Sequence, residues 1–348
     1  MSSTTLDTGT GNSVRATARR VGPWLIWPVA LLFVVGLAFG VESNYWLQVI
    51  VSAEVMVIAV VGLYVTFGLN GQVSLGQAGF YAIGAYTAGL LVVNFALEYL
   101  WAMIAGTIVS AIIGTLLGIP ALRLKGSYLA LATIGFGQVV ALILINWTWL
   151  TGGANGVRNI TSPLIAGFEL QTVADWAVFI GILSVLAVFV VSQIRVSSFG
   201  RAMQAVRDSD VAAAAMGVSL ARTKVLAFTI GAAFAGLAGT LNAGFVTYIS
   251  PGTYDLGLSV ALLAMIVVGG ASSPWGAVIG AVALTFLPEL LRPVQEYYLL
   301  FYGILLLLMV AFVPGGIIKL VPDLLGRAAA LVRGIRRPKS ASRERDRT

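Results

Sequence analysis

Residues 47–67, LQVIVSAEVMVIAVVGLYVTF, contain a single charged side chain, Glu54. A helix needs about 20 mainly apolar residues to cross the hydrocarbon core of a bilayer. This run is long enough, so it predicts a membrane-spanning helix. Similar runs recur along the chain, at 23–41, 78–96, 100–119, 127–147, 174–194, 225–249, 258–272, 277–291 and 297–314. Together they predict an all-α fold, a polytopic membrane bundle of about ten transmembrane helices.

The composition agrees with a membrane protein and argues against several enzyme classes. Hydrophobic residues make up 59% of the 348 residues and charged residues only 10%, which leaves too little polar surface for a water-soluble domain. The chain has no cysteine and no histidine. It therefore lacks thiolate sites, the commonest metal ligand and the usual general base. We expect no catalytic, metal or cofactor site in the spans.

The distribution of Lys and Arg predicts the orientation, because these residues in short loops favour the cytoplasmic side. With ten spans and a cytoplasmic N-terminus, only Arg158 and Arg292 of the 21 Lys and Arg residues fall outside. The predicted organisation is a cytoplasmic arm at 1–22, a transmembrane domain at 23–318 with a cytoplasmic loop at 195–224, and a basic cytoplasmic tail at 319–348. The tail is interpreted as a disordered arm attracted to membrane lipid, not as a nucleic-acid site.

The loop at 195–224 is the long charged segment between the spans. Its residues Phe199, Ala202, Met203 and Val206 have the i, i+3, i+4, i+7 spacing of one helical face. Such a helix suits a groove on a soluble partner. A helix lying on the membrane surface is the weaker alternative, because the apolar face is narrow and rich in alanine. The charged residues expected to take part in docking are Arg201, Arg207, Asp208 and Asp210.

Two apolar regions are interrupted by glycine and polar residues, GLNGQVSLGQAG at 68–79 and GGASSPWG at 269–276. Irregular backbone at membrane depth is tolerated where protein or a water-filled cavity satisfies it, so paired breaks point to a transport pathway. The alternative is that the glycines only allow close helix packing. In the first break we favour pathway lining, by Asn70, Gln72, Ser74, Gly76 and Gln77, with a helix that restarts near Ser74.

Glu54 lies in the middle of an apolar span, where a carboxyl group must face a partner, water or the bundle interior. One interpretation places it on the translocation path. The other makes it a structural glutamate that is protonated or hydrogen-bonded between helices. The sequence leaves these two interpretations open.

Several strings, in order along residues 62–318, resemble the LivM-type permease family. They are GLNGQVSLGQAGFYAIGAYTAGL (68–90), LRLKGSYLALATIGFGQV (122–139), TGGANGV (151–157), FGRAMQAVRDSDVAAAAMGV (199–218), LAFTIGAAFAGLAGTLNAGFVTYISP (226–251) and VVGGASSPWGAVIGA (267–281).

The resemblance implies a membrane subunit of an ABC importer for branched-chain amino acids, with relatives that carry urea or short amides. It implies a bacterial or archaeal inner membrane, a LivH-type permease subunit, two cytoplasmic ATPases that use ATP, and an extracytoplasmic solute-binding protein. It also implies a coupling helix around an E-A-A-x-x-x-G pattern. That frame falls on Val211, Ala212, Ala213 and Gly217, with valine in place of the glutamate. Gly217 suits a left-handed helix end.

The chain contains no G-x-x-x-x-G-K-[ST] string, so it cannot cradle nucleotide phosphates with a P-loop. Energy for an ABC importer must then come from a separate subunit. The competing class is a secondary transporter or channel, in which Glu54 would be an ion or proton site.

We expect residue 209 to be cytoplasmic, because it lies in the most basic internal loop. The natural chain has no cysteine, so Ser209→Cys introduces a unique label site. A membrane-impermeant maleimide should react with it in inside-out vesicles and not in intact cells. Labelling from outside intact cells would contradict the predicted topology.

Overall fold

The computed structural model describes residues 27–124, 126–160, 164–165, 168–292, 303 and 316–318. The predicted arm at 1–22 and tail at 319–348 lie outside the described residues, as does nearly all of the predicted span at 297–314.

The described chain is built from helices joined by short links. The first six are α1 (Trp27–Gly40), α2 (Asn44–Leu63), α3 (Gln77–Phe95), α4 (Tyr99–Ala121), α5 (Ser127–Asn146) and α6 (Thr148–Thr151). The next six are α7 (Val173–Val196), α8 (Ser198–Asp208), α9 (Asp210–Ala215), α10 (Leu220–Val246), α11 (Leu256–Gly269) and α12 (Pro274–Leu290). Helix α2 continues into a π-helix, Tyr64–Leu69, and a small antiparallel pair, β1 (Leu164–Ile165) and β2 (Phe168–Glu169), precedes α7.

The prediction of a polytopic helical bundle is confirmed. Seven helices in the described part of the chain are long and apolar enough to cross a membrane, and α1 and α12 are shorter apolar helices. Each of the nine apolar runs predicted before residue 292 coincides with one of these helices. The count of ten spans and the cytoplasmic position of both termini stay predictions.

Helix α10 lies at the centre of one half of the bundle, where it packs against α2, α3 and α4. The contacts are backbone to backbone because glycines face one another. A Cβ atom on Gly84 of α3 would collide with the backbone of Gly236 on α10, and one on Gly239 would collide with the Tyr81 carbonyl. Small residues at helix interfaces allow this close approach, which maximises van der Waals contact between membrane helices.

Helix α2 connects this half to the other one. It packs against α7, α11 and α12 as well as α10, and 78% of its most apolar stretch is buried. A helix that is apolar all round is expected to be buried in this way. Helix α5 is the opposite case, with only 22% of its apolar stretch buried. The exposed side of α5 therefore faces lipid or another protein.

The glycine contact between α3 and α10 predicts that a glycine-to-alanine substitution lowers stability much more at this contact than on the exposed side of α5. Gly84→Ala should lower the stability of the purified protein by about 1–3 kcal/mol, because the added methyl group overpacks the interface. Gly135→Ala on α5 is the control, since nothing lies within 4 Å of the new Cβ. Thermal unfolding in detergent measures both. Equal melting temperatures would contradict the close contact.

Candidate functional site

The first polar break begins where the α-helical hydrogen bonding of α2 changes to π-helical hydrogen bonding. The π-helix Tyr64–Leu69 ends at Asn70, and the amide of Gln72 reaches back to the Thr66 carbonyl at 2.9 Å. Isolated π-helical turns are rare and frequently mark functional positions. Helix α3 then starts at Gln77 with Gly76 as its N-cap. The expected restart near Ser74 is therefore wrong by about one helical turn.

Side chains from two other helices satisfy the backbone of this break. The Leu75 amide donates to Thr133 Oγ1 of α5 at 2.9 Å, and the Ala78 amide donates to Ser259 Oγ of α11 at 3.0 Å. The amides of Leu75 and Ala78 are therefore occupied by α5 and α11 and are not free to face a cavity. Gly76 also packs directly on α5, since a Cβ there would lie 2.8 Å from the Thr133 carbonyl oxygen.

Polar side chains in the break are buried, and several of their atoms lack partners. Ser74 and Gln77 are fully buried, and the Ser74 hydroxyl and both polar atoms of the Gln77 side chain form no hydrogen bond. Asn70 donates to Gln72 Oε1 at 2.5 Å, but its own Oδ1 accepts nothing. Each unsatisfied group costs about 1–3 kcal/mol. Such groups in a folded protein call for an explanation, such as an ordered water, an ion or a functional role.

The second break, at 269–276, has a simpler geometry. It is the turn between α11 and α12, with Ser273 as the N-cap of α12. Gly269 and Gly276 bring the two helices into backbone contact. This break therefore serves close packing, the alternative left open by the sequence.

The charged loop forms two short helices, α8 and α9. The predicted apolar face of α8 exists, since Met203 and Val206 are buried, but it packs against the protein's own bundle. It is not a free surface for a partner, because α8 follows α7 after one residue and folds back under the bundle. The surface left open belongs to α9, where Val211 is 80% exposed and the adjoining Met216 is 83% exposed.

Helix α9 ends at a left-handed glycine, Gly217, as the sequence predicted. Gly217 has φ +82°, its amide donates to the Ala214 carbonyl, and the Val218 amide donates to the Ala213 carbonyl. These two bonds form the Schellman arrangement, in which a left-handed residue closes a helix. Ala213 is buried, whereas Ala212 is exposed beside Val211.

Arg207 joins the charged loop to the polar break. Its Nη1 donates to the Gly68 carbonyl oxygen at 2.8 Å, at the end of the π-helix. Its aliphatic part lies so close to Gly71 that a Cβ there would be 2.7 Å from Arg207 Cγ. The same guanidinium pairs with Asp208 at 3.1 Å. The structure thus brings together two sets of residues that the sequence placed in separate sites.

Two neighbouring charges complete this junction. Lys224, at the start of α10, is buried and its Nζ lies 2.8 Å from Asp210 Oδ2 on α9. Arg201 is exposed and bonds locally to the Val196 carbonyl. Among the residues that the structure describes, no group of three or more carboxylate, histidine or cysteine side chains could hold a metal ion.

Glu54 lies apart from the junction. It is roughly 24 Å along the helix axis from Asn70, at 1.5 Å per residue. Its carboxyl group borders an apolar cavity of about 380 Å³ between α1, α2, α7 and α12, and its Oε2 is buried without a hydrogen-bond partner. The structure therefore does not bring Glu54 together with the other predicted pathway residues.

Comparison with known proteins identifies the family. Residues 45–310 match the family model for the permease component of the branched-chain amino acid transport system. The chain belongs to this permease family. The match includes the polar break, α8, α9 and the buried Lys224.

Individual relatives agree with this membership. The LivM high-affinity branched-chain amino acid permease of Salmonella typhimurium is 37% identical over 289 residues, which cover 76% of this chain and 68% of that protein. A probable branched-chain amino acid permease of Methanocaldococcus jannaschii is 26% identical over 86% of this chain and 93% of its own length. The autoinducer 2 import permease LsrC of Photorhabdus laumondii is 28% identical over 74% of this chain and 77% of its own length. No solved structure matches the chain significantly.

The sequence did not identify the residues of other helices that hold the break and α9 in place. Thr133 of α5 and Ser259 of α11 bond to the break, and Lys224 at the start of α10 pairs with Asp210 of α9. A buried hydroxyl or ammonium group in an apolar run is costly without a partner. The sequence could therefore have indicated that each of these residues has a partner. The identity of that partner required the tertiary structure.

Thr133 provides a test of how the break is held. Thr133→Val keeps the shape of the side chain but removes the acceptor of the Leu75 amide, so it should destabilise the protein by about 1–3 kcal/mol and slow transport. Thr133→Ser keeps the hydroxyl and should behave nearly as the natural protein does. Thermal unfolding and vesicle uptake measure the effects. Indistinguishable Val and Ser variants would contradict this role.

Proposed function

We propose that the chain is a permease subunit of an ABC importer for branched-chain amino acids in a bacterial or archaeal inner membrane. It binds no cofactor itself, and ATP is hydrolysed by two partner ATPases. A LivH-type permease and an extracytoplasmic binding protein complete the transporter. The observation that carries the mechanism is the Arg207 contact, because it connects an exposed cytoplasmic helix to the polar break.

Helix α9 supports the docking of an ATPase. Val211 and Met216 form an exposed apolar tip beside charged residues, and large exposed apolar side chains in such a setting mark interaction sites. Val211 stands where the family pattern has glutamate. A matching groove on the ATPase is therefore expected to be apolar at this point. Asp208 is largely exposed next to it and supplies a negative charge.

Movement of this tip has a direct route into the membrane. Helix α9 is attached to α10 through Lys224, and α8 is attached to the π-helix through Arg207. The break is in turn bonded to α5 and α11. In the proposed alternating-access cycle, closure of the ATPases shifts α8 and α9, and the break and α5 follow. In this proposed cycle we assign the buried positions of Ser74 and Gln77 to a closed pathway.

Helix α5 supports pairing with a second permease. Gln138 is exposed near the middle of this helix, among exposed apolar residues such as Leu131 and Leu142. A polar amide facing lipid at membrane depth is costly, whereas it is favourable at a protein interface or along an aqueous path. We therefore assign the shared translocation path to this side of the protein.

Two other functions are less well supported. Urea or short amides would suit the same uncharged path, and the upstream binding protein would then set the specificity. A secondary transporter would need an ion site, but the Glu54 cavity is lined almost entirely by apolar residues and offers no second charge. Named relatives that transport branched-chain amino acids favour the first assignment.

Reconstitution tests the proposed function. Proteoliposomes that contain both permeases and the ATPases, with the binding protein outside, should take up leucine, isoleucine and valine only when ATP is inside. Ionophores that collapse ion gradients should leave uptake unchanged. Uptake by the permeases alone, driven by a gradient, would identify a secondary transporter. ATP-driven uptake of urea without leucine uptake would support the amide alternative.

Arg207→Met should separate ATP hydrolysis from uptake, because it removes the bond to the Gly68 carbonyl while it keeps much of the side-chain volume. Leucine uptake per ATP should fall by about tenfold or more, in line with loss of a coupling energy above 1 kcal/mol. Arg201→Met, which removes an exposed charge of the same kind, should change the ratio little. Equal ratios in the two variants would contradict a coupling role for Arg207.

A further inference from the structure

A second cavity lies on the junction between the polar break and the charged loop. Its volume is about 340 Å³, which is within the usual range of small-molecule sites. Its lining includes Asn70 of the break, Leu124 and Leu129 near the end of α4 and the start of α5, and Arg207, Asp210 and Lys224 from the charged loop and the start of α10.

One wall of this cavity carries charges of both signs. Arg207 pairs with Asp208 and Lys224 pairs with Asp210, at 3.1 and 2.8 Å. The first pair is partly exposed, so its contribution to stability is small and its partners can be exchanged at little cost. A ligand with only negative or only positive charge would meet a like charge here. A ligand with both charges would find a partner for each.

The cavity wall also contains a polar side chain with incomplete hydrogen bonding. Asn70 is 3% exposed and lines the cavity, and its Oδ1 is buried without a hydrogen-bond partner. A turn of the amide toward the cavity would allow an ammonium or amide donor to satisfy this oxygen. The unpaired oxygen therefore indicates a ligand, and it does so independently of the surface charges.

The remaining wall is aliphatic. Leu129 and Val206 are buried, and Val73 and Leu124 are half-buried beside them. These four side chains give the cavity apolar surface in addition to its charged groups. Small-molecule sites commonly combine an apolar lining with a few polar groups that fix orientation.

We propose that this cavity binds a zwitterionic amino acid with an aliphatic side chain, supplied from the cytoplasm. Asn70 and an aspartate receive the ammonium group, Arg207 or Lys224 receives the carboxylate, and the aliphatic wall receives the side chain. This inference rests on the proposed function, because the same chemical class is then the transported product. The site includes Asn70 and Leu129 of α5, so it adjoins the proposed translocation path and receives its ligand from the cytoplasm.

Occupancy of this site has a regulatory consequence. The ligand also contacts Leu124 beyond the end of α4, past which the break and the charged loop move together in the proposed cycle. Binding therefore stabilises the arrangement seen in the structure, and a ligand shifts an equilibrium toward the state that it binds more tightly. Accumulated product inside the cell slows further import.

Equilibrium binding provides the first test. The complete importer, purified in nanodiscs without the binding protein, should bind tritiated leucine saturably. N-acetyl-leucine lacks the ammonium group, leucinamide lacks the carboxylate and glycine lacks the side chain, so each should compete about tenfold or more less well. Leu124→Trp fills the aliphatic wall and should abolish this binding. Leu116→Trp, at an exposed position on α4, should retain it.

Uptake provides the second test. In proteoliposomes preloaded with leucine, the natural importer should slow by about tenfold at saturating internal leucine, within the usual range of coupling between sites. Leu124→Trp should transport normally into empty vesicles and should not respond to internal leucine. Leu124→Phe enlarges the same wall by less and replaces Leu124→Trp if that variant does not assemble.

The outcomes separate this inference from the proposed function. Normal uptake into empty vesicles with no saturable leucine binding, or binding unchanged by Leu124→Trp, overturns the cavity site and leaves the proposed function intact. Loss of uptake into empty vesicles in an assembled Leu124→Trp importer places the cavity on the transport path and also overturns the regulatory site. Absence of branched-chain uptake by the natural importer rejects the proposed function, and the binding assay still decides whether the cavity takes leucine.

Discussion

Backbone hydrogen bonding inside an apolar environment is the constraint on which the rest of this structure depends. A helix satisfies its own amides and carbonyls, but the six residues between Asn70 and Gln77 cannot do so as a helix would. Thr133 and Ser259 supply the missing acceptors from α5 and α11. The break therefore fixes the positions of these two helices relative to α3. A change in its conformation requires both helices to move or their hydrogen bonds to break.

Arg207 applies the same principle to a carbonyl group. The π-helix Tyr64–Leu69 leaves the Gly68 oxygen available, and the guanidinium of Arg207 occupies it. A charged donor is a stronger partner than a neutral one. Since Arg207 lies at the end of α8, the break and helices α8 and α9 are parts of one hydrogen-bonded unit.

Much of the fold could be predicted because apolar length and helical periodicity are local properties. The runs at 47–67 and 127–147 became α2 and α5 within a few residues, and Gly217 ended α9 as its backbone freedom suggested. The site was harder to predict because it depends on partners distant in the sequence. The polar residues of the break were identified, but not that Thr133 would bond to it or that Arg207 would turn inward. The spacing correctly predicted that α8 has an apolar face. The prediction that this face is open to a partner was wrong, because periodicity does not show which neighbour covers a face.

The Lys224–Asp210 pair has a consequence for how the protein enters the membrane. A basic side chain at the border of an apolar helix resists translocation, so before α9 folds the charge of Lys224 opposes passage of that end of α10 across the bilayer. Once α9 has folded, Asp210 lies 2.8 Å from the ammonium group and the two charges neutralise each other. The same charge thus acts against translocation in the nascent chain and is compensated in the folded protein. Lys224 therefore affects membrane insertion first and helix packing afterwards.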